Sequence, residues 1–124
     1  MERIKRKQVT INISSISATE FRLYCKSKNL PMNTIIETFM LQFLSEGFTW
    51  EIKNDCFLIS DSKYPVNIDR VKKTAIITSL DCVLYEDFKY WCKRHDVTTG
   101  IVIEAFIKHL VKEDFCLFFK SVQK

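Results

Sequence analysis

Val9, Ile11 and Ile13 alternate with Gln8, Thr10 and Asn12 in the stretch KQVTINIS near the start of the chain. A period of two puts successive side chains on opposite faces, so this spacing predicts a strand over 8–13 with one apolar and one polar side. Further along, the period changes. Phe21, Tyr24 and Cys25 fall at i, i+3 and i+4, and Ile36, Phe39, Met40, Phe43 and Leu44 at i, +3, +4, +7 and +8. Both runs predict amphipathic helices, over 17–28 and 32–45. Asn29 lies between them, and asparagine tolerates the left-handed conformation that closes a helix in a sharp turn. Pro31 is tolerated where the second helix begins.

The same pattern returns. Shifting the sequence by 67 residues lays EFRLYCKSKNLPMNTIIETFMLQFL over DFKYWCKRHDVTTGIVIEAFIKHLV without a gap. Phe21 falls on Phe88, Cys25 on Cys92, Lys26 on Lys93, Ile36 on Ile103, Glu37 on Glu104 and Phe39 on Phe106. The register runs outward to Arg3 on Arg70, Lys5 on Lys72, Glu46 on Glu113, Phe48 on Phe115 and Lys53 on Lys120. We read this as an internal duplication. The second copy predicts a strand over 75–80 and a helix over 84–95 burying Val83 or Leu84, Phe88, Trp91 and Cys92. Asp96 takes the place of Asn29. A last helix over 99–112, with Thr98 as its N-cap, carries Ile103, Phe106, Ile107, Leu110 and Val111 at the spacing of its counterpart.

The division is a first repeat over 1–53, a linker over 54–68 and a second repeat over 69–124. Asn54-Asp55 is suited to turning a hairpin between FTWEI and CFLIS, with Pro65 ending the run. FTWEI and FCLFF are equally compatible with short helices. One strand and two helices bury too little surface to be stable alone. Two copies packed face to face solve this, their strands pairing antiparallel and four helices enclosing one core. The joining segment, about twenty residues from the end of the second helix to the next strand, spans up to ~60 Å when extended, so it permits that closure.

Composition narrows the class. The 124 residues, 47% apolar with two Gly and two Pro, make one domain or two very small ones with little room for disordered linkers. No run approaches the ~20 apolar residues of a membrane span, and the basic start lacks an apolar signal core. A cytoplasmic protein without membrane contact is expected. Five cysteines without a CxxC pair fit small, buried, reduced thiols. Net charge is only +4, but Arg3, Lys5, Arg6 and Lys7 crowd the first seven residues.

A short strand reading VTINI, a helix, a turn on a left-handed residue and a second helix resemble the ribbon-helix-helix DNA-binding family. The spacing agrees, since Ile13 to Leu30 and Leu80 to Val97 are both seventeen residues. Family members are normally dimers of one such unit, and this chain resembles the tandem, single-chain form. The resemblance implies a mainly α fold with a short two-stranded antiparallel ribbon, a tandem ribbon-helix-helix pseudo-dimer. It also implies that the ribbon enters the major groove of double-stranded DNA with its outward side chains on base edges. By position these are Gln8, Thr10 and Asn12 in the first copy. Asn and Gln pair bidentately with adenine, and Thr bonds or touches a thymine methyl.

The second copy offers Ala75, Ile77 and Ser79 instead. Either the half-sites differ, or this copy supplies mainly fold and phosphate grip, or its strand slips by one residue and turns other side chains outward. Phosphate contacts are implied at the second-helix starts, around Met32 and Asn33 and around Thr99 and Gly100, where free backbone N–H groups favour an anion. Lys5, Arg6, Lys7, Lys72 and Lys73 flank the ribbon and add charge.

Other chemistry finds little support. Cys92 and His95 stand at i, i+3, but no second ligand pair completes a metal site. Cys92 lies on a core face, where a thiol is inert. Glu113-Asp114 reads as helix-end solvation, and no glycine-rich phosphate loop exists. The expectation is therefore no catalytic residue, no metal and no cofactor. The family role is that of a transcriptional repressor of a plasmid, phage or virus operon, or of an accessory factor in DNA transfer or partition. The rival is a protein-interaction module, antitoxin-like or adaptor. Phe48, Trp50, Phe115, Leu117, Phe118 and Phe119 then serve as a contact surface for a partner or for neighbouring copies on DNA, rather than extending the core.

Overall fold

Ser14 and Asp81, 67 residues apart, each turn a strand directly into a helix. The Ser14 side chain accepts a hydrogen bond from the Ser17 N–H, and Asp81 accepts one from the Val83 N–H, both ordinary N-caps. In the computed structural model, which describes residues 5–45, 49–59, 65–67 and 74–113, the order is β1 (Arg6–Ile13), α1 (Ser15–Lys28), α2 (Met32–Leu44), β2 (Trp50–Lys53), β3 (Cys56–Ile59), β4 (Val66–Asn67), β5 (Thr74–Asp81), α3 (Cys82–Arg94) and α4 (Thr99–Glu113). Among the described residues no helix is long and apolar enough to cross a membrane.

The turns between paired helices follow the expected chemistry. Asn29 has φ 56° and Asp96 has φ 58°, both left-handed. The Leu30 N–H then reaches the Cys25 carbonyl at 2.9 Å, and the Val97 N–H reaches the Cys92 carbonyl at 3.0 Å, consuming carbonyls the helix end leaves unpaired. Thr98 caps α4, its hydroxyl accepting from the Ile101 N–H at 3.2 Å.

β1 and β5 pair antiparallel, Arg6 opposite Asp81 through Ile13 opposite Thr74. Thr10 thereby faces Ile77, its equivalent 67 residues on, and the register is symmetric about that pair. Val9, Ile11, Ile13, Ile76, Thr78 and Leu80 are buried beneath the ribbon. Below them Phe39 of α2 stacks on its equivalent Phe106 of α4, ring centroids 4.2 Å apart and planes 16° apart. Phe88 meets Phe39 edge-on at 6.2 Å. Of the two candidates at the start of α3, Leu84 is buried and Val83 is 69% exposed. Trp91 is only half-buried, packed against the core rather than inside it.

Residues 50–59 form a hairpin, not a short helix. Asn54 and Asp55 have φ 54° and 59°, a left-handed pair that suits a two-residue turn. The hairpin straddles the expected boundary at 53–54. β4, just after Pro65, adds a third antiparallel strand that the fold class read from the sequence did not include. Phe57, Ile59 and Val66 close this small sheet over α4, and Trp50 meets Trp91 edge-on at 5.1 Å. Phe48 and residues 115–119 lie outside the described residues.

Two carboxylates tie the halves together crosswise. Glu104 of α4 is 1% exposed and accepts from the Ser14 N–H at 3.0 Å and the Ser17 hydroxyl at 2.9 Å. Its equivalent, Glu37 of α2, accepts from the Asp81 N–H at 2.6 Å and from Arg6 Nη2 at 2.9 Å. Each second helix thus satisfies the cap residue of the other half's first helix. Removing a buried acceptor strands its donors, at about 1–3 kcal/mol each. Glu104→Ala should cost about 3 kcal/mol in urea unfolding. Glu37→Ala, whose side chain is 19% exposed and replaceable by water, should cost about 1 kcal/mol. Because β1 finds its partner within the same chain, the protein should sediment as a 14.7 kDa monomer at micromolar concentration.

Candidate nucleic-acid interface

With one side of the ribbon packed on helices, the other is open. Gln8, Thr10 and Asn12 are exposed there, opposite Ser79, Ile77 and Ala75 respectively. The second strand does not slip. Ala75, Ile77 and Ser79 face outward, and a shift of one residue would put Ile76 and Leu80 in water. The structure therefore gathers all six residues onto one surface.

The cations are placed less uniformly. Lys5 is exposed. Lys7 sits 3.6 Å from Glu86, both half-exposed, a pairing weak enough to exchange for another anion. Arg6 is committed within the protein. Its Nη2 donates to the Ser79 carbonyl at 2.8 Å and to Glu37 at 2.9 Å, and its Nε donates to the Ser79 hydroxyl at 3.3 Å. This is a cross-strand clamp, so the Arg6 charge is engaged within the fold. Lys72 and Lys73 lie outside the described residues.

Met32 and Asn33 open α2 half-buried, with no side-chain cap on their helix and no acidic residue in its first turn. α4 opens on Thr99, half-buried, and Gly100, buried, again with no acidic residue in its first turn. A cleft of about 380 Å³ lies at this end, lined by Lys89, Lys93, Asp96, Thr98 and Thr99 among others. The start of α4 and Lys93 give this cleft a positive lining, with Asp96 opposing them, whereas the Lys89 ammonium lies 3.6 Å from Glu86 and over the Tyr85 ring. Lys89 and Lys93 were not among the residues read from the sequence as phosphate contacts. Their signal was the repeat itself, because Arg22 and Lys26 hold the matching positions of the first copy. Arg22 reaches toward the ribbon, with Nη2 3.4 Å from the Ala75 carbonyl.

Burial pushes the Cys25 and Cys92 thiols up to about 12, so both stay protonated and unreactive at neutral pH. Cys56 and Cys82 are free and half-buried. The His95 ring stacks on Trp91 at a centroid distance of 4.0 Å, with Nδ1 2.8 Å from the Trp91 carbonyl. Among the described residues no three His, Cys, Asp or Glu side chains gather as a metal site would need. Compared with family models, curated proteins and solved structures, the chain matches none.

The raised thiols carry a pH dependence. Unfolding returns them to an ordinary value near 9.0, so between about pH 9 and 12 the unfolded chain releases protons that the folded one retains. Their contribution to stability is complete below pH 9 and declines above it, by up to about 1.4 kcal/mol per pH unit for each thiol. Urea unfolding at pH 8 and pH 10 should show this decline, and Cys25→Ala/Cys92→Ala should reduce it.

Proposed function

We propose that the chain is a tandem ribbon-helix-helix pseudo-dimer that binds double-stranded DNA, its β1–β5 ribbon lying in the major groove. The observation that carries this reading is the open ribbon face. Gln8, Thr10 and Asn12 stand with Ser79, Ile77 and Ala75 on one exposed surface, symmetric in register about Thr10 and Ile77. A two-stranded ribbon fits the major groove, and amide and hydroxyl side chains match its pattern of donors and acceptors. Support also comes from the N-terminus of α4, where Lys89 and Lys93 line a cleft with Thr98 and Thr99. Contacts of this kind hold the protein in register on phosphates without reading sequence. The biological role that follows is non-enzymatic, in repression or in assembly of a DNA-processing complex.

A second reading has its own observation. Ile16 and Val83, and likewise Leu23 and Tyr90, are exposed pairs 67 residues apart on the outer faces of α1 and α3. Apolar exposure repeated at matched positions favours a partner protein on those helices.

Fluorescence-anisotropy titrations over a salt series separate the two readings. The duplex is DNA from upstream of the protein's own gene, with scrambled DNA as control. Wild type should prefer the native sequence, with affinity falling steeply as salt rises. The Gln8→Ala/Thr10→Ala/Asn12→Ala variant should lose about tenfold or more of that preference, since one good bidentate pair discriminates by ~1–3 kcal/mol, and keep its salt slope. Failure to bind any DNA at low salt would overturn the DNA reading and leave the helix faces as the working surface.

A further inference from the structure

We infer that the duplex this ribbon recognises is not palindromic: its half-sites differ, and thymine methyl groups pack against Ile77 and Ala75. The inference rests on the DNA reading above and specifies its target. Two identical strands paired about a dyad present the same side chains at both ends, and their operator is an inverted repeat. Here the register has that symmetry but the side chains do not. Gln8 lies beside Ser79 at one end, Asn12 beside Ala75 at the other, and Thr10 beside Ile77 between them.

The ends differ in what they can bond. At the first, the Ser79 oxygen accepts from Arg6 Nε at 3.3 Å, and Arg6 is itself held by Glu37. The serine hydroxyl is left to donate its own proton outward, toward an acceptor such as guanine O6 or N7 or thymine O4. Gln8 adds an amide suited to adenine. At the other end Asn12 supplies the amide, and Ala75 offers only a methyl.

The centre is apolar on one strand. Ile77 is 56% exposed, an isoleucine on a face otherwise made of polar or small groups. Only thymine presents an apolar group in the major groove, its 5-methyl. Ile77 and Ala75 are two residues apart on β5, so they cover about 7 Å, the length of two base-pair steps. They form an apolar strip over the centre and one flank, and nothing equivalent exists on β1.

The test is selection of binding sites from a pool of random duplexes by wild-type protein, followed by titration of the winning duplex. The expected consensus has unlike halves, with thymines at the centre and along one flank. Replacing those thymines by deoxyuridine, which removes only the methyl, should weaken binding about fourfold per methyl. The Ala75→Gln/Ile77→Thr/Ser79→Asn variant, which gives β5 the outward residues of β1, should shift the consensus toward an inverted repeat. The deoxyuridine measurement uses wild-type protein and decides the matter even if that variant folds poorly. An inverted-repeat consensus from wild type, or indifference to deoxyuridine, would overturn the inference and leave the DNA reading intact. No enrichment at all would overturn the DNA reading, and this inference with it.

Discussion

A two-stranded ribbon cannot stand without the helices beneath it. Two strands alone are marginal in water at best, and among the described residues β1 and β5 have no third strand beside them. Their stability comes from Val9, Ile11, Ile13, Ile76 and Leu80, all buried against the helices. That dependence explains the shape of the open face. A ribbon anchored on one side by packing leaves its other side exposed, where the choice of side chain is wider.

Anchoring also requires that the ribbon's ends be fixed, because each strand passes into a helix without a loop. Glu104 and Glu37 meet this need by accepting the backbone N–H of Ser14 and of Asp81, the residues where strand becomes helix. Each carboxylate comes from the opposite half. Neither half can complete its own strand-to-helix junction, which is a physical reason for the two to occur together. The Phe39–Phe106 stack acts in the same direction, since it joins a ring of one half to its equivalent in the other. One end of the pair is wetter than the other. Glu37 shares its oxygen with the exposed clamp of Arg6 on Ser79, whereas Glu104 is sealed among Ser14 and Ser17.

What could be read from the sequence was whatever repeats locally. Periods of two and of 3.6 marked the strands and helices to within about two residues, the usual uncertainty at element ends. Asn29 and Asp96 announced the sharp turns by residue type alone. What could not be read depended on partners far along the chain. Glu37 and Glu104 were visible as a matched pair, but an acceptor role for a donor ninety residues away leaves no periodic trace. Arg6 read as a surface cation because its cross-strand clamp exists only once β1 meets β5. The strand at 66–67 is too short to show any period. For the candidate site, the six outward ribbon residues were legible because alternation fixes them. Lys89 and Lys93 were legible only through the repeat that sets them on Arg22 and Lys26, because on a helix nothing else marks which solvent-facing lysine will overlook a cleft.

A single chain also escapes a limit that binds any homodimer, in which both strands carry the same residues. Comparing the halves shows where that freedom was used. Inside, Phe21 and Phe88, Cys25 and Cys92, Phe39 and Phe106, and Glu37 and Glu104 are identical pairs. Each sits where shape or an unpaired donor leaves little choice, since a close-packed interior registers a change of one methylene. On the open face Gln8 and Ala75, Thr10 and Ile77, and Asn12 and Ser79 all differ. The Ser79 hydroxyl holds Arg6 Nε at 3.3 Å, but the fold does not call for an isoleucine at 77, which is 56% exposed. What the six residues have in common is the surface they share. A single chain lets its two strands differ on that surface while the interior beneath stays matched.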